Sequence, residues 1–182
     1  MIGGNALLLK ADPYKRNAVS NNLKSVLNNL DDVEISKAVN LSKWFIEKSN
    51  YYKKFDNGLL FQQPPKDMKR GDIVLVQLGM NISPELGDDN TGKHFCMIWK
   101  QQGHNFIVIP LTKHPQNKNI LSADLGIIPN MPGGVHTYAK IDAIRSVSLR
   151  RLFRIISVPD GKIETDQTLQ DKISAVILKE LV

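Results

Sequence analysis

The spacing of the apolar residues changes near residue 65, and this change restricts the chain to a fold that combines helices with a sheet. Before this point apolar residues recur at the spacing of one helical face, and after it they form short β-branched runs. Pro64 and Pro65 mark the change, since consecutive prolines neither continue a helix nor pair inside a sheet. The sequence therefore predicts an N-terminal helical extension over residues 1–65 and a second domain over residues 66–182.

The first part has the pattern of a helical hairpin. Two apolar stripes are separated by the Asn and Asp side chains of residues 28–32, which compete with the backbone for hydrogen bonds. The first stripe contains Val19, Leu23, Val26, Leu27 and Leu30. The second stripe contains Ile35, Ala38, Val39, Ser42 and Phe45, with Trp44 beside it. We expect Trp44 to lie in the core of the hairpin.

The second part alternates short apolar runs with polar loops, which is typical of a small curved sheet or barrel. Strands are predicted at residues 72–78, 94–100, 105–111, 137–144 and 153–158, with a polar loop at 80–93, a tight turn at 101–104 and a loop-rich segment at 113–136. Thr165 or Asp166 can cap a final helix. The predicted buried face of this helix contains Leu169, Ile173, Val176, Ile177 and either Leu181 or Val182. The predicted fold class is α+β.

Cysteine and histidine usage excludes several kinds of site. The single cysteine, Cys96, excludes an internal disulfide and a multi-cysteine metal site, and its apolar strand indicates a buried structural thiol. The histidines lack the spacing of a helix-borne zinc site, and no glycine-rich phosphate loop occurs, so we predict no metal and no cofactor.

Hydropathy and charge set the expected surroundings. No apolar run approaches the about 18 residues of a membrane span, so we expect a soluble cytoplasmic protein. The net charge of +6 permits an anionic partner such as nucleic acid.

Polar residues at the ends of strands are the remaining candidates for chemistry. Thr112 and Lys113 follow one predicted strand, and Lys140 and Asp142 share one face of another. A cation and a carboxylate in such a position commonly form a surface ion pair. The alternative is acid–base chemistry on a phosphodiester, in which a carboxylate or imidazole takes a proton from a ribose 2′-hydroxyl and cations stabilise the developing charge.

Four ordered blocks of the sequence resemble the MazF/PemK toxins, a family of ribosome-independent mRNA interferases. They are residues 69–76 (KRGDIVLV), 92–99 (GKHFCMIW), 108–112 (VIPLT) and 140–147 (KIDAIRSV). Glu85 lies in the polar loop, where the family often has a glutamate. The resemblance extends over residues 69–154, and the closing helix also fits, whereas the first 65 residues lie outside it.

The resemblance implies an SH3-like barrel that forms a homodimer and is held inactive by an antitoxin, in a complex that binds DNA. It implies metal-independent cleavage of single-stranded RNA, which leaves a 2′,3′-cyclic phosphate and a 5′-hydroxyl. The implied catalytic residues are His94, Thr112, Asp142 and Arg145, with Thr112 holding the scissile phosphate and Asp142 acting as base or positioner. The implied RNA-binding residues are Glu85, Lys93, Lys113, Lys140 and Ser146.

One position departs from the family, because His94 and Phe95 stand where most members have arginine and proline. Arginine is a permanent phosphate anchor, whereas histidine, with an ordinary pKa near ~6.5, can act as a general acid or base. Three alternatives follow. In the first, Lys93, Lys140 or Arg145 supplies the missing positive charge. In the second, the protein does not cut RNA but binds RNA or a protein partner, or targets gyrase on the same fold. In the third, His94 is simply a strand residue.

The remaining basic and aromatic residues are assigned by their sequence context. We place Arg145 in the site and the other arginines of this region on a solvated rim; they are Arg150, Arg151 and Arg154. Trp99 and Phe106 are expected in the core. The N-terminal helices can pack on the barrel, extend the dimer or bind the antitoxin.

Overall fold

The computed structural model describes residues 8–56, 63–79, 93–113 and 121–181. The chain divides into two compact units, residues 1–46 and residues 47–182, and the division falls within the second helix. The predicted domain boundary near residue 65 stays a prediction. The described residues contain α-helices and an antiparallel sheet, so the α+β class is confirmed.

Two α-helices precede the sheet, as the apolar spacing predicts. They are α1, Pro13–Leu30, and α2, Ile35–Asp56. Asp12 caps α1, because its side chain accepts a hydrogen bond from the Lys15 N–H at 3.0 Å. Pro13 occupies the first helical position, where a backbone N–H would have no partner within the helix.

The predicted apolar stripes of these helices are largely exposed. On α1, Val19, Leu23 and Leu27 are exposed. The partly buried side chains of α2 are Ala38, Asn40, Leu41, Trp44, Glu47 and Tyr51, whereas Ile35, Val39, Ser42 and Phe45 of the predicted stripe are exposed. The predicted buried face is therefore wrong for most of α2. Two stripes at helical spacing lie side by side on this helix, and packing rather than spacing decides which is covered.

The second unit is built on a seven-stranded antiparallel sheet. Its strands are β1 Ile73–Gln77, β2 Lys93–Gln102, β3 Asn105–Thr112, β4 Ser122–Ile127, β5 His136–Lys140, β6 Arg145–Ser148 and β7 Leu152–Phe153. Their order is β4-β5-β3-β2-β1-β7, and β6 also pairs with β3. In the described residues this sheet is not closed, so the SH3-like barrel stays a prediction.

The first three strands agree with the sequence, and the later ones do not. β4 lies within the segment predicted to be loop-rich, and the predicted strand at residues 137–144 is interrupted by a short 3-10 helix, Ile141–Ala143. The interruption arises because the N–H groups of Ile141 and Asp142 both donate to the Leu121 carbonyl instead of to a ladder partner. The predicted strand at 153–158 is also wrong beyond Phe153.

Residues 155–161 form a tight turn in place of that strand. The Val158 N–H donates to the Ile155 carbonyl, and the Ile155 N–H donates to the Gly161 carbonyl at 2.8 Å. These local hydrogen bonds satisfy the backbone that a longer β7 would have presented to β1.

Alternate residues of the central strands contribute to two hydrophobic cores, one on each face of the sheet. One core contains Ile73, Met97, Ile109 and Ile173, and the other contains Val74, Cys96, Phe106 and Val108. Trp99 is partly buried against the first core, and Phe106 is buried in the second, which agrees with their prediction.

A final helix, α3 Gln167–Glu180, covers the first core through the buried Ile173. Asp166 is its N-cap and accepts a hydrogen bond from the Leu169 N–H at 3.2 Å, so one of the two predicted caps is confirmed. Leu169, Val176 and Ile177 pack against the core as predicted. Leu181 is exposed, which corrects its place on the buried face, and Val182 lies outside the described residues.

The turn that leads into β1 explains the first of the four sequence blocks. Asp72 Oδ2 accepts a hydrogen bond from the Lys69 N–H at 2.9 Å, and the Asp72 N–H donates to the Lys69 carbonyl. Gly71 has a φ of +92°, a conformation that side chains with a Cβ rarely adopt. The Gly71 N–H donates to the Ile98 carbonyl at 2.8 Å, which ties the turn to β2. Residues 69–72 therefore have a structural role at the entry to β1.

Replacing Gly71 with alanine is expected to lower the free energy of unfolding by about 1–3 kcal/mol more than the same change at Gly103. Both positions have a positive φ, but at Gly71 the new Cβ would also collide with the Gln170 side-chain nitrogen. Gly103→Ala is the matched control, since Gly103 also has a positive φ but its new Cβ would meet nothing within 4 Å. Urea unfolding measures both variants. A Gly71→Ala variant no less stable than Gly103→Ala would contradict the role given to this turn.

Candidate functional site

Four strands end or begin at the same end of the sheet, and His94, Thr112 and Arg151 lie near this end. β1 ends at Gln77, β2 begins at Lys93 and β3 ends at Thr112. Val76 pairs with His94 on one side and with Leu152 of β7 on the other. The name strand-end site is used for His94, Thr112, Arg151 and Arg145, of which Arg145 lies further along the same face.

His94 and Thr112 lie just beyond the end of the ladder between β2 and β3. The last pair of this antiparallel ladder is Cys96 with Pro110. His94 and Thr112 are each two residues further on, so they lie on the same face as Cys96 and Pro110. Both side chains are partly buried. An imidazole and a hydroxyl that lie far apart in the sequence are thus on one face of the sheet, near the end of the same ladder.

Arg145 approaches the same face from β6. It pairs with Val108, which lies on the same face of β3 as Pro110 and Thr112. Its Nε donates to the Ala143 carbonyl at 3.3 Å. Burial raises the pKa of the Cys96 thiol, and the positive charges of Arg145 and Arg151 partly oppose that rise. Both guanidinium groups therefore lie within electrostatic reach of Cys96, two residues beyond His94.

The same observation settles the role of Cys96 itself. The side chain is fully buried, and burial keeps its pKa far above that of an exposed thiol. A thiol must ionise to act as a nucleophile. The prediction of a structural cysteine is confirmed.

Arg151 belongs to the strand-end site, although the sequence placed it on the rim. It directly precedes β7, and its Nε donates to the Gln77 carbonyl at 2.6 Å. Burial lowers the pKa of Arg151, and the nearby Arg145 lowers it further. Two arginines thus stand close together in a partly buried setting, where an anion is favoured. A two-residue strand after an arginine pair carries little sequence signal, and this is why Arg151 was missed.

Lys140 and Asp142 form an ion pair beside β3. The Nζ of Lys140 lies 3.8 Å from Oδ2 of Asp142, and the two side chains are 7% and 36% exposed. β5 pairs with the last residues of β3, Leu111 with Ala139 and Thr112 with Tyr138. The Lys140 side chain is buried, so its position differs from that of a surface cation. Asp142 is the more accessible partner of the pair.

The other predicted RNA-binding residues are dispersed. Lys93 lies over the Phe153 ring at 4.7 Å, on the face of β2 opposite to His94. Lys113 is exposed just after β3. Ser146 is exposed and pairs with Ile107, so it points away from the face that Arg145 shares. Glu85 lies outside the described residues.

The rest of the described chain offers a second polar cleft. Its lining residues are Lys66, Asp67, Arg154, Asp160, Lys162 and Glu164. Two of its three basic groups are engaged within the protein, since Lys162 pairs with Asp72 and Glu164, and Arg154 donates to the Pro159 carbonyl. Among the described residues no three His, Cys, Asp or Glu side chains are grouped as metal ligands would be.

A comparison with models of protein families shows which family the chain belongs to. A family model described as PemK-like, MazF-like toxin of type II toxin-antitoxin system matches residues 69–177. The chain belongs to this family. A search of curated proteins gave no match.

The match to the PemK/MazF family includes the whole sheet and most of α3, and therefore the strand-end site. It begins at the turn of residues 69–72 and excludes α1 and α2. Membership in a type II toxin family implies an antitoxin partner. No helix in the described part of the chain is long and apolar enough to cross a membrane.

Proposed function

We propose that this PemK/MazF-like toxin is a metal-independent endoribonuclease that cleaves single-stranded RNA to 2′,3′-cyclic phosphate and 5′-hydroxyl ends. The observation that carries the proposal is the strand-end site itself. The proposal is supported by an imidazole and a hydroxyl on one face of β2 and β3, just beyond the last paired residues Cys96 and Pro110. It is also supported by Arg145 opposite Val108 on the same face, and by Arg151 at the end of β1. These are the groups that transesterification of a phosphodiester needs: a proton carrier, a phosphate ligand and fixed positive charge.

The reaction begins with removal of the proton from a ribose 2′-hydroxyl. Either the His94 imidazole or the Asp142 carboxylate takes this proton. The 2′-oxygen then forms a bond to phosphorus while the bond from phosphorus to the 5′-oxygen breaks. The leaving oxygen receives a proton, so the products are a cyclic phosphate and a free hydroxyl. The guanidinium of Arg145 stabilises the charge on the phosphorane, and the Thr112 hydroxyl orients the phosphate.

With histidine in place of the family's arginine, phosphate binding and proton transfer are carried out by different residues. Arginine is always charged and holds phosphate with two parallel donors. Histidine changes its charge near neutral pH and can both accept and donate a proton. In this chain the permanent charge comes from arginines on β6 and before β7, which leaves His94 available for proton transfer.

Several further properties of the family are carried over with this proposal. The toxin acts in the cytoplasm as a homodimer with an SH3-like barrel, and its antitoxin inserts an acidic segment into the same site. Lys113, which is exposed next to Thr112, extends the RNA path beyond β3.

The second candidate is a protein of the same fold that binds RNA or a protein, or inhibits gyrase, without cutting RNA. The observation in its favour is His94 itself, because a lost phosphate anchor is a common way for a nuclease to lose activity. Salt-sensitive RNA binding without cleavage would favour an RNA-binding protein. Inhibition of gyrase supercoiling would favour a gyrase inhibitor.

The experiment is a cleavage assay with purified protein and an unstructured RNA in EDTA. We expect cleavage, with products that carry a 2′,3′-cyclic phosphate. Intact RNA after incubation with excess folded protein would contradict the proposed activity.

A further inference from the structure

The end of α2 that belongs to the second unit reaches the strand-end site. The Oε2 of Glu47 accepts a hydrogen bond from Nε2 of Gln77 at 2.7 Å. The Gln77 carbonyl in turn accepts from Nε of Arg151 at 2.6 Å. One residue at the end of β1 therefore joins a carboxylate on the helix to a guanidinium of the site.

Tyr51 completes the contact one helical turn further along. Its hydroxyl donates to Oε1 of Glu47 at 3.3 Å, and its side chain is partly buried. Burial lowers the pKa of the Arg151 guanidinium, and the negative charge of Glu47 partly opposes that lowering. Burial, and secondarily the charge of Glu47, raises the pKa of Tyr51, so the phenol stays protonated and remains a donor.

A carboxylate in this place resembles a phosphate in its chemistry. Both groups present oxygen acceptors with negative charge, and both are attracted to a partly buried guanidinium. Arg145 and Arg151 repel each other when no anion is near, and the pKa of Arg151 is lowered partly for that reason. The carboxylate that interacts with Arg151 is supplied by the chain itself, from a helix that lies outside the family match.

We propose that residues 47–52 of α2 form an intrachain cap, in which Glu47 stands in for an RNA phosphate at Arg151 and must be displaced before RNA binds. This inference rests on the proposed function, because it regulates the same site. It also assigns Arg151 as a phosphate-binding residue that the four sequence blocks do not indicate. RNA and Glu47 compete for one guanidinium, so weakening the cap strengthens RNA binding.

Glu47→Gln tests the cap with little change in shape. The amide oxygen of glutamine still accepts the hydrogen bond from Gln77, so the substitution removes the charge and keeps this contact, while the bond from the Tyr51 hydroxyl is given up. We expect about fivefold to tenfold tighter binding of a short, unstructured 2′-O-methyl RNA, and a similar gain in cleavage of the matching RNA at subsaturating concentration. Tyr51→Phe removes one hydrogen bond to Glu47 and is expected to give a smaller gain in the same direction.

Glu34→Gln is the matched control. Glu34 is an exposed acid next to the start of α2, and its partners are Ser36 and Lys37. It undergoes the same change of charge next to the same helix, and the partners described for it are not residues of the strand-end site. Its RNA affinity is expected to equal that of the unaltered protein.

Amide hydrogen exchange provides a readout that does not depend on activity. Binding of the 2′-O-methyl RNA is expected to speed exchange at residues 47–53 if the cap is displaced. Unchanged exchange there, together with equal affinities for Glu47→Gln and Glu34→Gln, would overturn the cap while the nuclease proposal stands. Absence of both binding and cleavage in every variant, Glu47→Gln included, would overturn the nuclease proposal and the cap with it.

Discussion

Replacing His94 with alanine is expected to slow RNA cleavage by about 100-fold to 10,000-fold, the range typical of a lost general acid or base. His94 lies two residues beyond the last β2–β3 pair and on the same face as Thr112, where the proposed function needs a group that transfers a proton. The rate is measured under single-turnover conditions with enzyme in excess. Affinity for a 2′-O-methyl RNA is measured separately, because a proton-transfer residue should change the rate far more than the affinity.

His104→Ala is the control for this experiment. His104 is exposed in the turn between β2 and β3, at the opposite end of these strands from His94. Its removal is expected to leave the cleavage rate unchanged. Equal rates for His94→Ala and the unaltered protein would remove His94 from the catalytic assignment without touching the proposal of nuclease activity.

His94→Arg separates proton transfer from charge. If His94 carries a proton, the arginine variant binds RNA at least as tightly but cleaves slowly, since its side chain does not titrate at neutral pH. If His94 only supplies charge, the variant cleaves as fast as the unaltered protein. The pH dependence of the rate between about 5 and 8, the range in which an unperturbed imidazole titrates, is expected to disappear in the variant.

The second large effect concerns the stability of the sheet. Replacing Lys162 with methionine is expected to lower the free energy of unfolding by about 3–5 kcal/mol, the usual cost of leaving one partner of a buried ion pair alone. The Nζ of Lys162 lies 2.9 Å from Oδ2 of Asp72, and the two side chains are 8% and 0% exposed. Without the ammonium, the buried carboxylate retains only the Lys69 N–H as a donor among the described contacts.

Lys69→Gln is the matched control for the buried pair. Lys69 forms an ion pair with Glu164 at 3.1 Å, but both side chains are more than half exposed. Exposed pairs contribute about 0–1 kcal/mol, so this variant should be nearly as stable as the unaltered protein. Urea unfolding at neutral pH measures both. A loss below about 1 kcal/mol for Lys162→Met would contradict the role assigned to the pair.

The pH dependence of this pair has a definite sign. Burial opposes the charge of Lys162, but hydrogen bonds to Asp72 and Glu164 outweigh it, and the pKa of Lys162 is raised above its usual 10.5. A raised pKa means that the folded state holds the proton more tightly than the unfolded state. The stabilisation is therefore complete below pH 10.5 and is lost as the pH rises through the folded value. We expect the stability difference between Lys162→Met and the unaltered protein to shrink above that pH.

Local signals predicted the parts of the fold that depend on local causes. The β-branched runs marked β1 to β3, and the Asp166 carboxylate marked the start of α3 because capping needs only a few neighbouring residues. β4 and β6 were missed because their pairing partners lie on β5 and β3, and pairing between distant segments has no local signature. The covered face of α2 was misjudged for the same reason.

In the candidate site, too, some residues could be predicted from local sequence and others could not. Thr112 was recognisable as a polar residue at the end of an apolar strand, and the resemblance added His94 and Arg145. Arg151 and Glu47 were not recognisable from the sequence, because each is held in place by a hydrogen bond to Gln77 at the end of β1. The turn of residues 69–72 carried a family signal for a structural reason, since it holds Asp72 and the entry to β1 in place.

The central claim is that the strand-end site cleaves RNA by attack of the adjacent 2′-hydroxyl. The most direct measurement is incubation of the full chain with an unstructured RNA in EDTA, followed by analysis of the product ends. The proposed function predicts fragments with a 2′,3′-cyclic phosphate and a 5′-hydroxyl, and no cleavage where the ribose on the 5′ side of the cut is replaced by 2′-deoxyribose. Intact RNA, or fragments that carry a 5′-phosphate, would contradict it.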